Sequence, residues 1–319
     1  MKTLKPPLLK RGDVIGVIAP ASAPNPADKI DRGVRYLESL GYRVELGAHV
    51  RDVRGYLAGG DAHRADDFNT MVRDPRVRAI FAVRGGYGTP RILDLIDYTA
   101  LKRNPKIIVG YSDLTAMQLA IFKRTGLITF SGPMVAVEMQ DSIDPFTEDI
   151  FWRTLTSARS IGALPVPGDA PLRIRFPGTH RGGVSGLLLG GNLSLLTSIA
   201  GSRFLPSFVG SLLLLEEVEE EPYRIDRMLA QLRHASILTR TNGVVLGAFT
   251  DCTPHNPSNP TLTLNEIFSD YLESLGKPVV ENLAYGHIPR KLTLPIGAAA
   301  RIVTRHRTSL DILEPVVSR

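Results

Sequence analysis

The stretch KIIVGYSD (residues 106–113) runs an apolar segment into a glycine, a serine and an acid, and AMQLAIF follows with helical spacing. Ser112 therefore falls at a strand-to-helix turn. A serine there either caps the helix through an amide of its first turn, or serves as a nucleophile with its hydroxyl exposed and the next N–H beside it. The usual hydrolase elbow is G-x-S-x-G, and here leucine replaces its last glycine.

A second candidate is RGGYGTPR (residues 84–91), after the apolar run AIFAV. Gly85, Gly86 and Gly88 let the backbone turn sharply and aim N–H groups outward, the make-up of an anion nest or an oxyanion donor. The stretch has neither G-x-G-x-x-G spacing nor a Walker lysine. The bland alternative is a plain strand-to-helix turn.

The third is LLLLEEVEEEPYRIDR, where Glu216 and Glu217 stand at the end of an apolar strand. Either could face a cleft, while Glu219, Glu220 and Glu221 read as a solvated turn before Pro222, a residue suited to the first position of a helix. A serine nucleophile needs a base, and histidine is the natural one. Of the seven histidines, His49, His63, His180, His234 and His306 lie in helical, linker or arginine-rich contexts and read as surface or packing residues. His255 sits in the loop CTPHNPSNP. His287, in NLAYGHIPRK, follows an apolar stretch and a glycine, the setting of a loop residue aimed at a cleft. The order Ser112, Glu216, His287 is nucleophile, acid, base, as in α/β-hydrolases. No zinc-type His/Cys cluster stands out, so neither metal nor cofactor is expected.

The elements that must position these groups alternate. Continuous apolar strands (DVIGVIAPAS, RAIFAVRGG, KIIVGYS) separate amphipathic helices, one of them predicted over the whole of GTPRILDLIDYTALKRNP. That pattern predicts an open, mostly parallel sheet covered on both faces, in which active groups gather at the carboxyl ends of the strands. The predicted organisation is an N-terminal α/β domain over residues 1–160, a Pro/Gly-rich linker over 161–182, and a mixed, strand-rich α/β domain over 183–319.

The chain of 319 residues is 43% hydrophobic and 22% charged, the composition of a globular protein. Its net charge of +6 is spread among mixed Arg, Asp and Glu, without a basic helix interleaved with aromatics. No nucleic-acid partner is expected, and an anionic substrate would suit the charge. No apolar run reaches membrane-spanning length, and the N-terminus lacks the apolar core of a secretory signal. With Cys252 as its single cysteine, the chain fits a reducing, cytoplasmic compartment. A homodimer is compatible with this reading. A non-catalytic two-domain solute-binding protein is the alternative from another class, but it would ordinarily carry an export signal.

Taken together, GDVIGVIAPAS, RGGYGTPRILDLIDY, NPKIIVGYSDLTAMQ, ITFSGPM, GLLLGGNLSLLTSIAGS, LLLLEEVEEEPYRIDRMLAQL and YGHIPRKLTLPIGAAA resemble the LD-carboxypeptidase family of serine peptidases nearly end to end. That group contains murein tetrapeptide carboxypeptidases and microcin C immunity hydrolases. The resemblance implies Ser112 as nucleophile and His287 as base. It selects Glu216, six residues before the proline of the E-P-[YF]-R element, as the triad carboxylate. It also implies oxyanion N–H donors from Gly85 or Gly86 and from Asp113, and a cleft between two domains. The implied reaction cleaves the bond between the L-centre of a diamino acid and a terminal D-alanine in cytoplasmic muropeptides. Arg84 is a candidate for the free carboxylate of such a substrate, and Tyr87 for a further substrate contact.

Overall fold

The computed structural model describes residues 3–168, 171–179, 182–305 and 307–319, so His180 and His306 lie outside the described residues. In chain order, the first elements are β1 (Val14–Ile18), α1 (Lys29–Ser39), β2 (Arg43–Leu46), α2 (Asp61–Arg73), β3 (Val77–Ala82) and α3 (Thr89–Ile92). Next come α4 (Tyr98–Arg103), β4 (Ile107–Val109), α5 (Leu114–Thr125), β5 (Thr129–Ser131) and α6 (Pro145–Thr156). After them run β6 (Gly162–Ala163), β7 (Arg173–Phe176), β8 (Val184–Asn192), α7 (Leu193–Ser198), β9 (Leu212–Val218) and α8 (Pro222–His234). The last are α9 (Ile237–Arg240), β10 (Gly243–Thr250), α10 (Leu264–Leu272), β11 (Val279–Glu281), β12 (Leu294–Ile296), β13 (Ala299–Val303) and β14 (Ser309–Ile312).

Two compact units result. The first comprises Met1–Arg159, Leu292–Gly297 and Pro315–Arg319. Its sheet has the order β12-β5-β4-β3-β1-β2, parallel throughout except for the antiparallel β12–β5 pair. The apolar runs predicted as strands are the ones buried on both faces: every residue of β1 and of β4 is buried. The region predicted as one helix after the glycine turn is broken into α3, a 3₁₀ turn and α4. The cause is Asp97, whose carboxylate accepts the Ala100 N–H at 2.9 Å and starts a fresh helix.

The second unit comprises Ser160–Lys291 and Ala298–Glu314. Its sheet, β6-β14-β13-β8-β9-β10-β11-β7, is parallel across β8, β9, β10 and β11 and antiparallel at both flanks. The region expected as a linker supplies β6 and β7, the two edge strands of this sheet. The tail expected to stay in the second domain returns to the first, because β12 pairs with β5 and the Ser318 N–H donates to the Pro6 carbonyl at 2.8 Å. Covering the open side of β5 satisfies backbone groups that an edge strand would leave unpaired.

Candidate active-site elements

Ser112 follows β4 at the mouth of α5. Gly110 donates its N–H to Phe130 O at 3.1 Å and accepts from Gln118 Nε2 at 2.9 Å. Tyr111 is buried in a cluster with Ala82, Leu114 and Met134, and its hydroxyl donates to Glu138 at 2.8 Å. With Tyr111 pinned on one side and Leu114 starting the helix on the other, Ser112 makes the turn alone, at a left-handed φ of 64°. A non-glycine residue there is strained by roughly 1–2 kcal/mol, a cost that marks functional sites more often than surface turns. The helix takes Asp113 as its N-cap and has no side-chain cap. The capping role considered for Ser112 is therefore not the one it plays.

The Asp113 carboxylate turns away from its own helix to the glycine-rich turn. It accepts from Gly88 N at 3.2 Å and Thr89 N at 2.7 Å, while Thr89 Oγ1 donates to the Asp113 carbonyl at 2.5 Å. The side chain is fully buried, and burial pushes its pKa up to about 6 against the opposing pull of these hydrogen bonds and of the Arg64 charge. Ser22, in the loop that follows β1, completes the brace: its N–H donates to Gly85 O at 3.3 Å and its hydroxyl accepts from Tyr87 N at 3.1 Å. The N–H groups of Tyr87, Gly88 and Thr89 are thus engaged. Those of Gly85, Gly86 and Asp113 bond to no group among the described residues. A Cβ on Gly85 would stand 2.9 Å from Ser112 Cβ, 3.1 Å from Ser112 Oγ and 3.3 Å from Asp113 N, so only glycine leaves the space beside that hydroxyl open. Neither Ser22 nor the Asp113 side chain was singled out from the sequence. The signal for Ser22 is its place at the close of DVIGVIAPAS, past the carboxyl end of the first parallel strand.

Arg84 lines a cavity of about 300 Å³ in the first unit together with Lys29, Asn25 and Gln140. Tyr87 is 45% exposed, its ring tilted against Tyr56 at 5.8 Å.

In the second unit the two adjacent glutamates of β9 part company, because successive strand residues point to opposite faces. Glu217 is buried and fully engaged: it accepts from Asn192 Nδ2, Ser194 N, Ser194 Oγ and its neighbour Val218 N, all within 2.7–3.0 Å. Burial still raises its pKa. Glu216, with no exposed surface, holds His287 Nδ1 by Oε2 at 2.8 Å, while its Oε1 has no hydrogen-bond partner among the described residues. Two glycines make this pair fit. A Cβ on Gly286, at φ 121°, would lie 2.8 Å from Glu216 Oε2, and one on Gly247 would lie 3.3 Å from Glu216 Cβ. His287 keeps 20% of its side chain exposed, and its carbonyl accepts from Thr250 Oγ1 at 3.3 Å.

Of the other histidines, His255 is exposed and tied to Glu221 through its backbone N–H at 3.0 Å, and His234 ends α8. His49 and His63 do not scatter as ordinary surface residues: their rings stack at 4.0 Å beside Asp52, a cluster that sequence reading did not register. Cys252 is a buried free thiol whose pKa burial raises to about 11, so it is not a rival nucleophile.

Residues 15–132 match the LD-carboxypeptidase N-terminal domain and residues 185–302 the LD-carboxypeptidase C-terminal domain. A probable murein peptide carboxypeptidase of Bacillus subtilis is 39% identical over 314 residues, covering 96% of this chain and 93% of its own. A murein tetrapeptide carboxypeptidase of Pseudomonas aeruginosa is 32% identical over 288 residues, covering 90% of this chain and 92% of its own. Among solved structures, the microcin C7 self-immunity protein MccF in its wild-type apo state superimposes with a TM-score of 0.88 at 26% identity, covering 99% of this chain and all of that one. Both halves of the chain and the fold they build place it in one group: the chain belongs to the LD-carboxypeptidase family.

Proposed function

We propose that the protein is a serine-type carboxypeptidase that hydrolyses the bond between the L-centre of a diamino acid and a terminal D-alanine in muropeptides, with Ser112, His287 and Glu216 working as one triad. The observation that carries this reading is the local build of Ser112: a hydroxyl that makes no cap, on a left-handed backbone, beside N–H groups with no partner among the described residues. His287, its Nδ1 held by Glu216, takes the serine proton on Nε2 as Ser112 Oγ attacks the scissile carbonyl carbon. The resulting oxyanion is received by the N–H groups of Asp113 and of Gly85 or Gly86, each donor contributing about 3–4 kcal/mol to the transition state. His287 then protonates the leaving amine of D-alanine, and water, activated by the same imidazole, releases the acyl group. Glu216 fixes the ring throughout. The substrate's free carboxylate suits the cavity that Arg84 shares with Lys29, and Tyr87 offers an exposed ring to the peptide. A cytoplasmic setting fits the single free thiol.

A second reading, hydrolysis of a peptidyl-nucleotide by the same triad, is favoured by the close superposition on the microcin self-immunity protein. Against it, Trp152, the one tryptophan able to stack a base, lies in α6 packed on Tyr42 at 5.1 Å with its indole N–H donated to Tyr36 at 2.9 Å. Incubation with tetrapeptides ending in L,D or L,L bonds and with a microcin C analogue, read by mass spectrometry, separates the two. Release of D-alanine from the L,D peptide alone is the expected result; cleavage of the analogue alone would replace the first reading with the second.

A further inference from the structure

We propose that His49, Asp52 and His63 form a binding site for a zinc-type divalent cation in the first unit, a structural clip between the loop after β2 and the first turn of α2. One side-chain atom from each residue can be chosen so that all three lie within 4.8 Å of one another. Ligands at zinc-bond lengths in a tetrahedral site stand about 3.3–3.8 Å apart, so small side-chain rotations close the set around one ion. The two imidazoles already stack with centroids 4.0 Å apart, and His63 Nδ1 lies 3.0 Å from Asp52 Oδ2.

The surroundings are built for this arrangement. The buried Asp67 carboxylate accepts both the His49 backbone N–H, at 3.1 Å, and the ring at Nδ1, at 3.0 Å. A carboxylate behind one imidazole nitrogen sets the tautomer and orientation that leave the other nitrogen as a ligand. Glycines make room for both carboxylates: a Cβ on Gly47 would run into Asp67, and one on Gly59 would stand 2.7 Å from Asp52 Cβ. Partial exposure, 27% for His49, 40% for Asp52 and 55% for His63, leaves an entry path and a position for water as fourth ligand. Two imidazoles and one carboxylate select a borderline cation such as zinc over magnesium or calcium, which prefer all-oxygen sets.

The test is calorimetric titration of the EDTA-treated whole chain with zinc chloride. The expected result is one zinc per chain, with affinity reduced at least tenfold in His63→Ala and in Asp52→Ala, and ten- to a hundredfold in Asp67→Asn through the loosened His49 ring. His63 and Asp52 are exposed enough that their variants fold. His287→Ala serves as the control for zinc captured by the Glu216–His287 pair and should bind as the parent does. Absence of zinc binding by the parent, unchanged affinity in His63→Ala, or loss in His287→Ala would each overturn the proposal.

Discussion

Ser112 is positioned by backbone, whereas the Glu216–His287 pair is positioned by side chains packed into a sheet. Around Ser112, a left-handed residue, three glycines and a network of main-chain N–H groups do the placing, with Asp113 and Ser22 tying the turns after β4 and β1 to the turn after β3. Around Glu216, the strand register does it: β9 buries the glutamate completely, and missing side chains at Gly247 and Gly286 leave the gap through which it reaches the imidazole. The first arrangement aims dipoles and one hydroxyl, and the Asp113 carboxyl strapped into it holds its proton only up to about pH 6. The second seats a carboxylate with no exposed surface against an imidazole, where electrostatic interaction is least screened. The roles proposed for them, a nucleophile with an oxyanion site and a base with its orienter, call for these two kinds of construction respectively.

The sharpest way to break this comparison is at the hydroxyl. Ser112→Ala should lower turnover of an L,D tetrapeptide by about 10⁴–10⁶-fold, the range seen when a triad serine is removed. Because that side chain makes no cap, the melting temperature should stay within a few degrees of the parent. Retained activity in a steady-state assay would remove Ser112 from the mechanism altogether.

Next in size is the contrast between two adjacent residues of one strand. Glu216→Ala should cost about 10³–10⁴-fold in turnover, because His287 loses the group that sets its tautomer and stabilises its cationic form. Glu217→Ala should instead cost stability, roughly 3 kcal/mol, since it strands the donors of Asn192, Ser194 and Val218 in a buried site. Paired measurements of turnover and urea midpoints distinguish a catalytic loss from a folding loss. The opposite pattern would mean that the two faces of β9 have exchanged roles.

Much of the fold and of the candidate site is legible in the sequence, for identifiable reasons. Parallel strands covered on both faces leave unbroken apolar runs, so β1, β3 and β4 announce themselves, and the groups at their ends follow. Choosing Glu216 over Glu217 needs the family resemblance, because two adjacent acids at a strand end are indistinguishable until the register is known. What stays hidden depends on distant pairing or on loop paths. No local pattern shows that Leu294–Ile296 returns to pair with β5, or that a Pro/Gly-rich stretch supplies the edge strands β6 and β7. His49, Asp52 and His63 lack any zinc-motif spacing, and only the course of the loop after β2 brings them together. Asp113 was expected to contribute an N–H, and the burial of its carboxylate against Gly88 and Thr89 is a tertiary fact.

That carboxylate is also where the smallest of these effects can be measured. The folded pKa of Asp113, about 6, lies above its ordinary value of 3.8 because burial opposes the charge. Between those two values the native state holds a proton that the unfolded chain has released. The stabilisation is therefore fully present below pH 3.8, fades as pH rises through 6, and is constant beyond. Relative to Asp113→Asn, which cannot titrate, the parent should lose about 3 kcal/mol of unfolding free energy across this window, since each pH unit of it costs about 1.4 kcal/mol. Urea titrations of both proteins at intervals from about pH 4 to about pH 7 give the difference directly. A difference that stays flat over this range would show that the Gly88 and Thr89 N–H donors and Arg64 offset burial and leave Asp113 ionised down to its ordinary value. The serine turn would then be strapped by a charge across the whole of that pH range, and the contrast between a turn built from dipoles and a pair built on a buried carboxylate would fail at this residue.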